Sequence, residues 1–239
     1  MRDQIQLLKS EIRNEAMKLF DKTVLYGPFH GMKIVEDSSW GKYDFLSKLF
    51  GEYEKHVLNE IIGLSGTFKH FINIGSADGY FAVGTLYSNY YQSGTAFEIS
   101  QSGREITKKN ANENNVCDRL DILGEANIDT IHAVIKSKGM SCILCDIEGA
   151  EFTLFDDLLL KTLQGCSIII EVHDDGELSE IDEHDKLVDR AKNYFDVTQI
   201  NRLSPAVNEF SELASWHDDK RLLAFSEGRA KRMKWLLLR

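Results

Sequence analysis

A chain of 239 residues accommodates one medium domain with a modest extension and is large enough to bury its own core. Its 43% apolar and 28% charged residues are ordinary globular values that argue against wholesale disorder. A formal net charge of −10 repels phosphate backbones, which argues against general nucleic-acid binding.

The N-terminal Met1-Arg2-Asp3-Gln4-Ile5-Gln6 is polar and lacks an apolar h-region, so no signal peptide is expected. Apolar runs such as Cys166 to Ile170 fall far short of the ~20 residues that cross a bilayer, so no membrane span is expected. Over residues 2 to 21, Ile5, Leu8, Ile12, Ala16 and Leu19 recur at helical spacing and predict an amphipathic helix with one apolar stripe. The stripe needs a partner, either the protein's own domain or a second subunit, which leaves a homo-oligomer through the N-terminal helices open. A turn-rich stretch, Tyr26-Gly27-Pro28-Phe29-His30-Gly31-Met32, leads to a second predicted helix from about Asp44 to Ile62. Residues 1–62 thus read as a helical cap or lid on a domain spanning 63–239. Trp40-Gly41-Lys42-Tyr43 would then face a ligand; plain packing on the back of the domain is the equal alternative.

From His70 onward the pattern changes. Short apolar segments, Phe71–Ile74, Thr95–Ile99, Leu120–Leu123, Cys142–Asp146, Ser167–Val172 and Phe195–Ile200, predict strands. Helical stretches lie between them, among them Gln101–Asn112, Ala150–Lys161 and Leu178–Lys192. Ile168-Ile169-Ile170 is apolar at successive positions, as a strand covered on both faces must be. The alternation predicts an α/β, Rossmann-like, doubly wound sheet. Asp218–Glu227 is read as a helix, and the apolar Met233-Lys234-Trp235-Leu236-Leu237-Leu238-Arg239 as a final buried strand. Arg229, Lys231, Arg232, Lys234 and Arg239 make the one dense basic group, read as a solvated tail. Of the four cysteines, Cys142 and Cys145 have a metal or redox spacing. In a strand, however, positions i and i+3 point to opposite faces, so they are read as buried hydrophobes in a reducing cytoplasm.

The most informative segment is Asn73-Ile74-Gly75-Ser76-Ala77-Asp78-Gly79-Tyr80, a strand, a glycine turn and a helix start. Glycines let the backbone turn tightly beside a ligand, and a helix N-terminus offers N–H groups to an anion. The G-x-x-x-G spacing departs from the G-x-G-x-x-G of dinucleotide sites. Glu98 follows about twenty residues later, at the end of the next strand, where a carboxylate accepts both hydroxyls of a ribose. Loop and acid together predict an adenosine-like ligand.

These residues carry a resemblance. Ile72 to Tyr80 resembles motif I of class I methyltransferases. Cys145-Asp146-Ile147-Glu148-Gly149-Ala150-Glu151, with Ile170-Glu171-Val172-His173, resembles the paired signatures of FkbM-type methyltransferases. The likeness covers roughly Phe71 to Asp174; Asn73 departs from the acid the superfamily often carries. It implies S-adenosylmethionine as cofactor and a seven-stranded, mostly parallel sheet whose last strand is antiparallel. It places Asn73, Gly75, Ser76 and Gly79 at the methionine end and Glu98 at the ribose. Gly124-Glu125-Ala126 would face the adenine, and Asp146 the sulfonium. It also implies an O-methylated sugar or other polar small metabolite as acceptor. A protein or nitrogen acceptor, or a non-catalytic nucleotide-sensing module, is the alternative.

Parallel strands lie ~4.8 Å apart and ligands bind beyond their carboxyl ends, so Asp146 and Glu148 can converge with Glu171, His173, Asp174 and Asp175. Three readings remain. His173 or Glu148 serves as general base with Asp146 balancing the sulfonium. Alternatively, Asp146, Glu171 and His173 bind magnesium or manganese. In the third, Glu171 and His173 only cap backbone groups. His56, His132, His184 and His217 have no such neighbours in sequence and are read as structural or exposed.

Overall fold

Seven strands build one sheet: β1 (His70–Ile74), β2 (Ser93–Phe97), β3 (Leu120–Leu123), β4 (Cys142–Cys145), β5 (Ser167–Val172), β6 (Val197–Ile200) and β7 (Lys234–Leu238). The helices are α1 (Arg2–Leu19), α2 (Phe45–Leu49), α3 (Lys55–Leu64), α4 (Tyr80–Tyr87) and α5 (Gln101–Glu113), then α6 (Ile128–Lys138), α7 (Glu151–Leu154), α8 (Asp157–Thr162), α9 (Leu178–Ala191) and α10 (Asp218–Ala224). The computed structural model describes residues 2–35, 44–173, 178–227, 229 and 233–239. Trp40-Gly41-Lys42-Tyr43, Asp174, Asp175, Lys231 and Arg232, singled out in the sequence, lie outside the described residues.

Strand order is β3-β2-β1-β4-β5-β7-β6. The first five strands run parallel, and β7 inserts antiparallel between β5 and β6. The expected doubly wound sheet with an antiparallel last strand is therefore the observed one. The order reverses between β1 and β4: the chain leaves β1 toward β2 and β3, then returns to lay β4 on the opposite side. A crevice opens beyond the carboxyl ends of the strands at such a switch point.

Alternation along each strand divides the core into two layers. Phe71, Cys142, Leu144, Ile169, Trp235 and Leu237 pack with Ile12, Leu49, Leu58, Val83 and Ala224. Ile72, Ile143, Cys145, Ile170 and Leu236 pack on the opposite face with Ile131, Phe155, Leu159 and Leu187. Cys142 and Cys145 thus belong to different layers, as their strand spacing predicts.

Three expectations need correction. The helix predicted over Asp44–Ile62 is two helices, because Gly51 (φ 69°) and Glu54 (φ 43°) take left-handed backbone between α2 and α3. A Cβ on Gly51 would lie 2.3 Å from the Tyr26 carbonyl oxygen, so close docking of the preceding loop sets the break. The stretch Ala150–Lys161 likewise divides into α7 and α8, since the Asp156 side chain accepts from Leu159 N at 2.8 Å and starts a new helix. The stripe on α1 is also partial: Ile12 and Ala16 are buried, whereas Ile5, Leu8 and Leu19 are exposed.

Candidate active site

The segment after β1 turns at the switch point. Gly75 N and Ser76 N both donate to the Phe97 carbonyl, and Asp146 N donates to Ile74 O, tying the ends of β1, β2 and β4 together. Gly75 takes φ 81°, and a Cβ there would lie 1.8 Å from the Asp146 carbonyl oxygen, so this position excludes any side chain. Gly79, also left-handed, opens α4 and closes a turn by donating to Ser76 O.

A cavity of about 670 Å³ lies beyond these strand ends. Gly75, Ala77, Glu98, Gly124, Glu125 and Ala126 line it together with the acidic group of Asp146, Glu148, Glu171 and His173. Asn73, Ser76 and Gly79 shape the turn without lining the cavity. Glu98 is buried, and its carboxylate accepts from Ala77 N and Ser100 N, each at 2.8 Å. One oxygen is held by each amide. A carboxylate offers about four lone-pair positions, so this anchored group retains two for a ligand.

His173 is the centre of the acidic part. Its Nδ1 faces Glu151 Oε1 at 3.2 Å, and its Nε2 lies 3.4 Å from both Asp146 Oδ1 and Glu148 Oε2 and 3.8 Å from Glu171 Oε2. Glu151 is fully buried at the start of α7; it accepts from His173 N and Gly149 N, each at 2.8 Å. Burial disfavours the imidazolium, but the Glu151 hydrogen bond and the charges of Glu151, Asp146 and Glu148 outweigh it and raise the His173 pKa. Burial works against the Glu151 carboxylate as well, yet its bonds to His173 hold its pKa below the usual value. Glu148 (φ 54°) is held in left-handed backbone, an uncommon conformation of the kind found where a surrounding fold fixes a functional loop.

Sequence reading missed three contributors. Glu151 stood inside the motif but reads there as an ordinary helix start. Arg229, assigned to a solvated tail, instead turns inward and forms ion pairs with Glu54, Glu171 and Glu227. The correction has a physical cause: burial raises the pKa of both Glu54 and Glu171, and a guanidinium among them opposes that rise. Lys48, on α2, lines the cavity and pairs with Asp78 at 2.6 Å.

The atoms that Asp146, Glu171 and His173 could offer to a metal lie within 4.8 Å of one another. Glu171 is, however, engaged by Arg229, and burial favours its neutral form, whereas a cation takes ionised carboxylates. The ligand set therefore fits a divalent ion poorly.

No family model matches this chain, and no curated protein matches it. Among solved structures it is similar to the O-methyltransferase TomG of Streptomyces achromogenes, involved in tomaymycin synthesis and solved with SAM. The match has a TM-score of 0.53 and 13% identity over 86% of this chain and 91% of that one. A Bacillus cereus O-methyltransferase solved with SAH gives a TM-score of 0.48 and 15% identity, over 97% of this chain and 90% of that one. A Streptococcus mutans structure named for SAM-dependent methyl transfer gives 0.47 and 13%; it matches 77% of this chain, which spans only 48% of that one. The TomG likeness shows a shared Rossmann-like fold.

Proposed function

We propose that this chain is an S-adenosylmethionine-dependent methyltransferase acting on a hydroxyl of a sugar or other polar small metabolite. The observation that carries this reading is one cavity at the β1/β4 switch point that joins the anchored Glu98 carboxylate to the Glu151–His173 pair. Its volume of about 670 Å³ falls in the range of small-molecule and cofactor sites, ~300–1,000 Å³. When bound, S-adenosylmethionine supplies an electrophilic methyl group on a sulfonium.

This chain's residues do the rest. Glu98 would accept the ribose hydroxyls, the Gly124-Glu125-Ala126 turn would border the adenine, and Gly75 would leave the backbone open beside the methionine part. Asp146 would balance positive charge, with Glu148 at the rim. His173 would take the acceptor proton at Nε2 while Nδ1–H donates to Glu151, which fixes the tautomer and stabilises the imidazolium. Asp44, Lys48 and Tyr53 belong to the cavity wall, which supports a lid role for the segment that carries them. The sugar or metabolite acceptor rests on the resemblance of Asp146 to Glu151 and Ile170 to His173 to FkbM-type signatures.

Transfer of labelled methyl from S-adenosylmethionine into separated pools tests the acceptor. Label is expected in the glycan or metabolite pool, unchanged by EDTA. Label in protein or RNA alone contradicts the acceptor, and label in no pool favours a sensing module. Loss with EDTA, restored by magnesium or manganese, assigns Asp146, Glu171 and His173 to a metal instead.

A further inference from the structure

The Lys48 side chain enters the cavity from an element outside the glycine turn and the strand ends. It is buried, and among the described residues its one hydrogen-bond partner is Asp78 Oδ2 at 2.6 Å. Its ammonium lies 4.9 Å from the centre of the Tyr53 ring and 5.7 Å from that of Tyr80. Asp78 belongs to the turn that follows Gly75, and its other oxygen accepts from Tyr80 N at 3.1 Å, which fixes the acid in place. Burial works against the charge on Lys48, but Asp78 and Asp44 outweigh it and hold its pKa above the usual lysine value. An ammonium has three donors; the rings take none as a hydrogen bond, and Asp78 takes one. A cationic group with donors to spare therefore stands on the cavity wall, tied to the acid that follows Ala77 in the glycine turn.

A buried ion pair rarely adds net stability over an apolar pair of the same volume. A ligand anion gives this one a use. Asp44, on the same wall, adds a carboxylate to the charges that act on the lysine, although burial raises its own pKa to about 6. We propose that Lys48 binds the α-carboxylate of the cofactor's methionine moiety, making α2 a part of the cofactor site. This assignment rests on S-adenosylmethionine being the cofactor. It gives the N-terminal segment a role in ligand selection: the site distinguishes a ligand with an amino-acid tail from a plain adenosine.

Calorimetry on the full chain separates the two claims. The titrants are S-adenosylhomocysteine and its decarboxylated analogue, which keeps the amine and loses only the carboxylate. The wild type is expected to bind the first about 10- to 100-fold more tightly, the range of a charge-assisted hydrogen bond. Lys48→Met should lose that preference by weakening S-adenosylhomocysteine while leaving the analogue nearly unchanged. Because Lys48→Met strands a buried Asp78, the Lys48→Met/Asp78→Asn double variant is measured beside it and should show the same lost preference. If the wild type binds neither titrant, the cofactor reading itself fails. If it binds both and the variants keep the preference, or weaken both titrants equally, the cofactor reading survives and Lys48 is only a structural tie between α2 and the turn.

Discussion

At the scale of single residues, His173 and Glu151 give the sharpest consequence. Four carboxylates surround one imidazole, and the pull of Glu151, Asp146 and Glu148 raises its pKa above 6.5 despite burial. A base must first lose its proton, so kcat/KM is expected to rise with pH through a midpoint above that value. Glu151→Gln removes the largest raising influence and should move the acid limb to lower pH. His173→Ala should lower turnover by about 10²- to 10⁴-fold with cofactor affinity nearly constant. An acid limb that stays in place in Glu151→Gln would show that another group titrates. The linkage to stability has the opposite sense. A raised pKa stabilises the fold fully below 6.5, and that contribution is lost as pH rises through the folded-state value. The conditions that favour the base thus remove part of what holds it.

Glu98, Asp146 and His173 were legible in the sequence because each sits at a strand end, where chain-local pattern alone places a side chain at the sheet's rim. Glu151, Lys48 and Arg229 were not. Glu151 looks like any acid in a first helical turn, Lys48 like any polar residue of an amphipathic helix, and Arg229 like part of a basic tail. Their roles come from partners 22, 30 and 175 positions away, a separation that no local pattern encodes.

At the scale of elements, the strands were legible and the helix breaks were not. Apolar runs such as Ile168-Ile169-Ile170 and Trp235-Leu236-Leu237-Leu238 state a doubly covered strand directly. The breaks at Gly51 and Asp156 depend on tertiary contact and on a cap that competes with helix continuation. α1 shows a similar limit, because periodicity gave a continuous stripe where packing uses only its middle. Ile12 and Ala16 enter the core, and Glu15 pairs with Lys220 of α10 at 2.6 Å. Ile12→Ala should therefore cost about 2–5 kcal/mol, the range for truncating a buried aliphatic side chain. Leu8→Ala, at a half-exposed position, should stay within about 0.5 kcal/mol. Denaturant titration of both variants tests the division; equal losses would show that the outer part of α1 is buried in solution, with a second copy as the natural cover.

At the scale of the whole molecule, the sheet order fixes where chemistry can occur. The reversal between β1 and β4 opens a crevice, and every lining residue of the proposed machinery reaches it from a strand end, an adjoining turn or the N-terminal segment. Among the described residues no helix is long and apolar enough to cross a membrane. Asp146, Glu148, Glu171 and Glu227 stand on the crevice wall together with Lys48 and Arg229. The glycine turn and the acid-rich strand ends were legible in the sequence, while the place of Asp44, Lys48 and Tyr53 on the cavity wall emerges only in the folded chain.

Which adenosine-bearing ligand enters that crevice decides what the protein does. Calorimetry with S-adenosylhomocysteine and NAD, on the wild type and on Glu98→Ala, measures this directly. We expect S-adenosylhomocysteine to bind the wild type and NAD not to bind. Glu98→Ala should weaken S-adenosylhomocysteine about 10- to 100-fold, as loss of hydrogen bonds from a charged acceptor implies. Preference for NAD, binding of neither ligand, or full affinity in Glu98→Ala would contradict it.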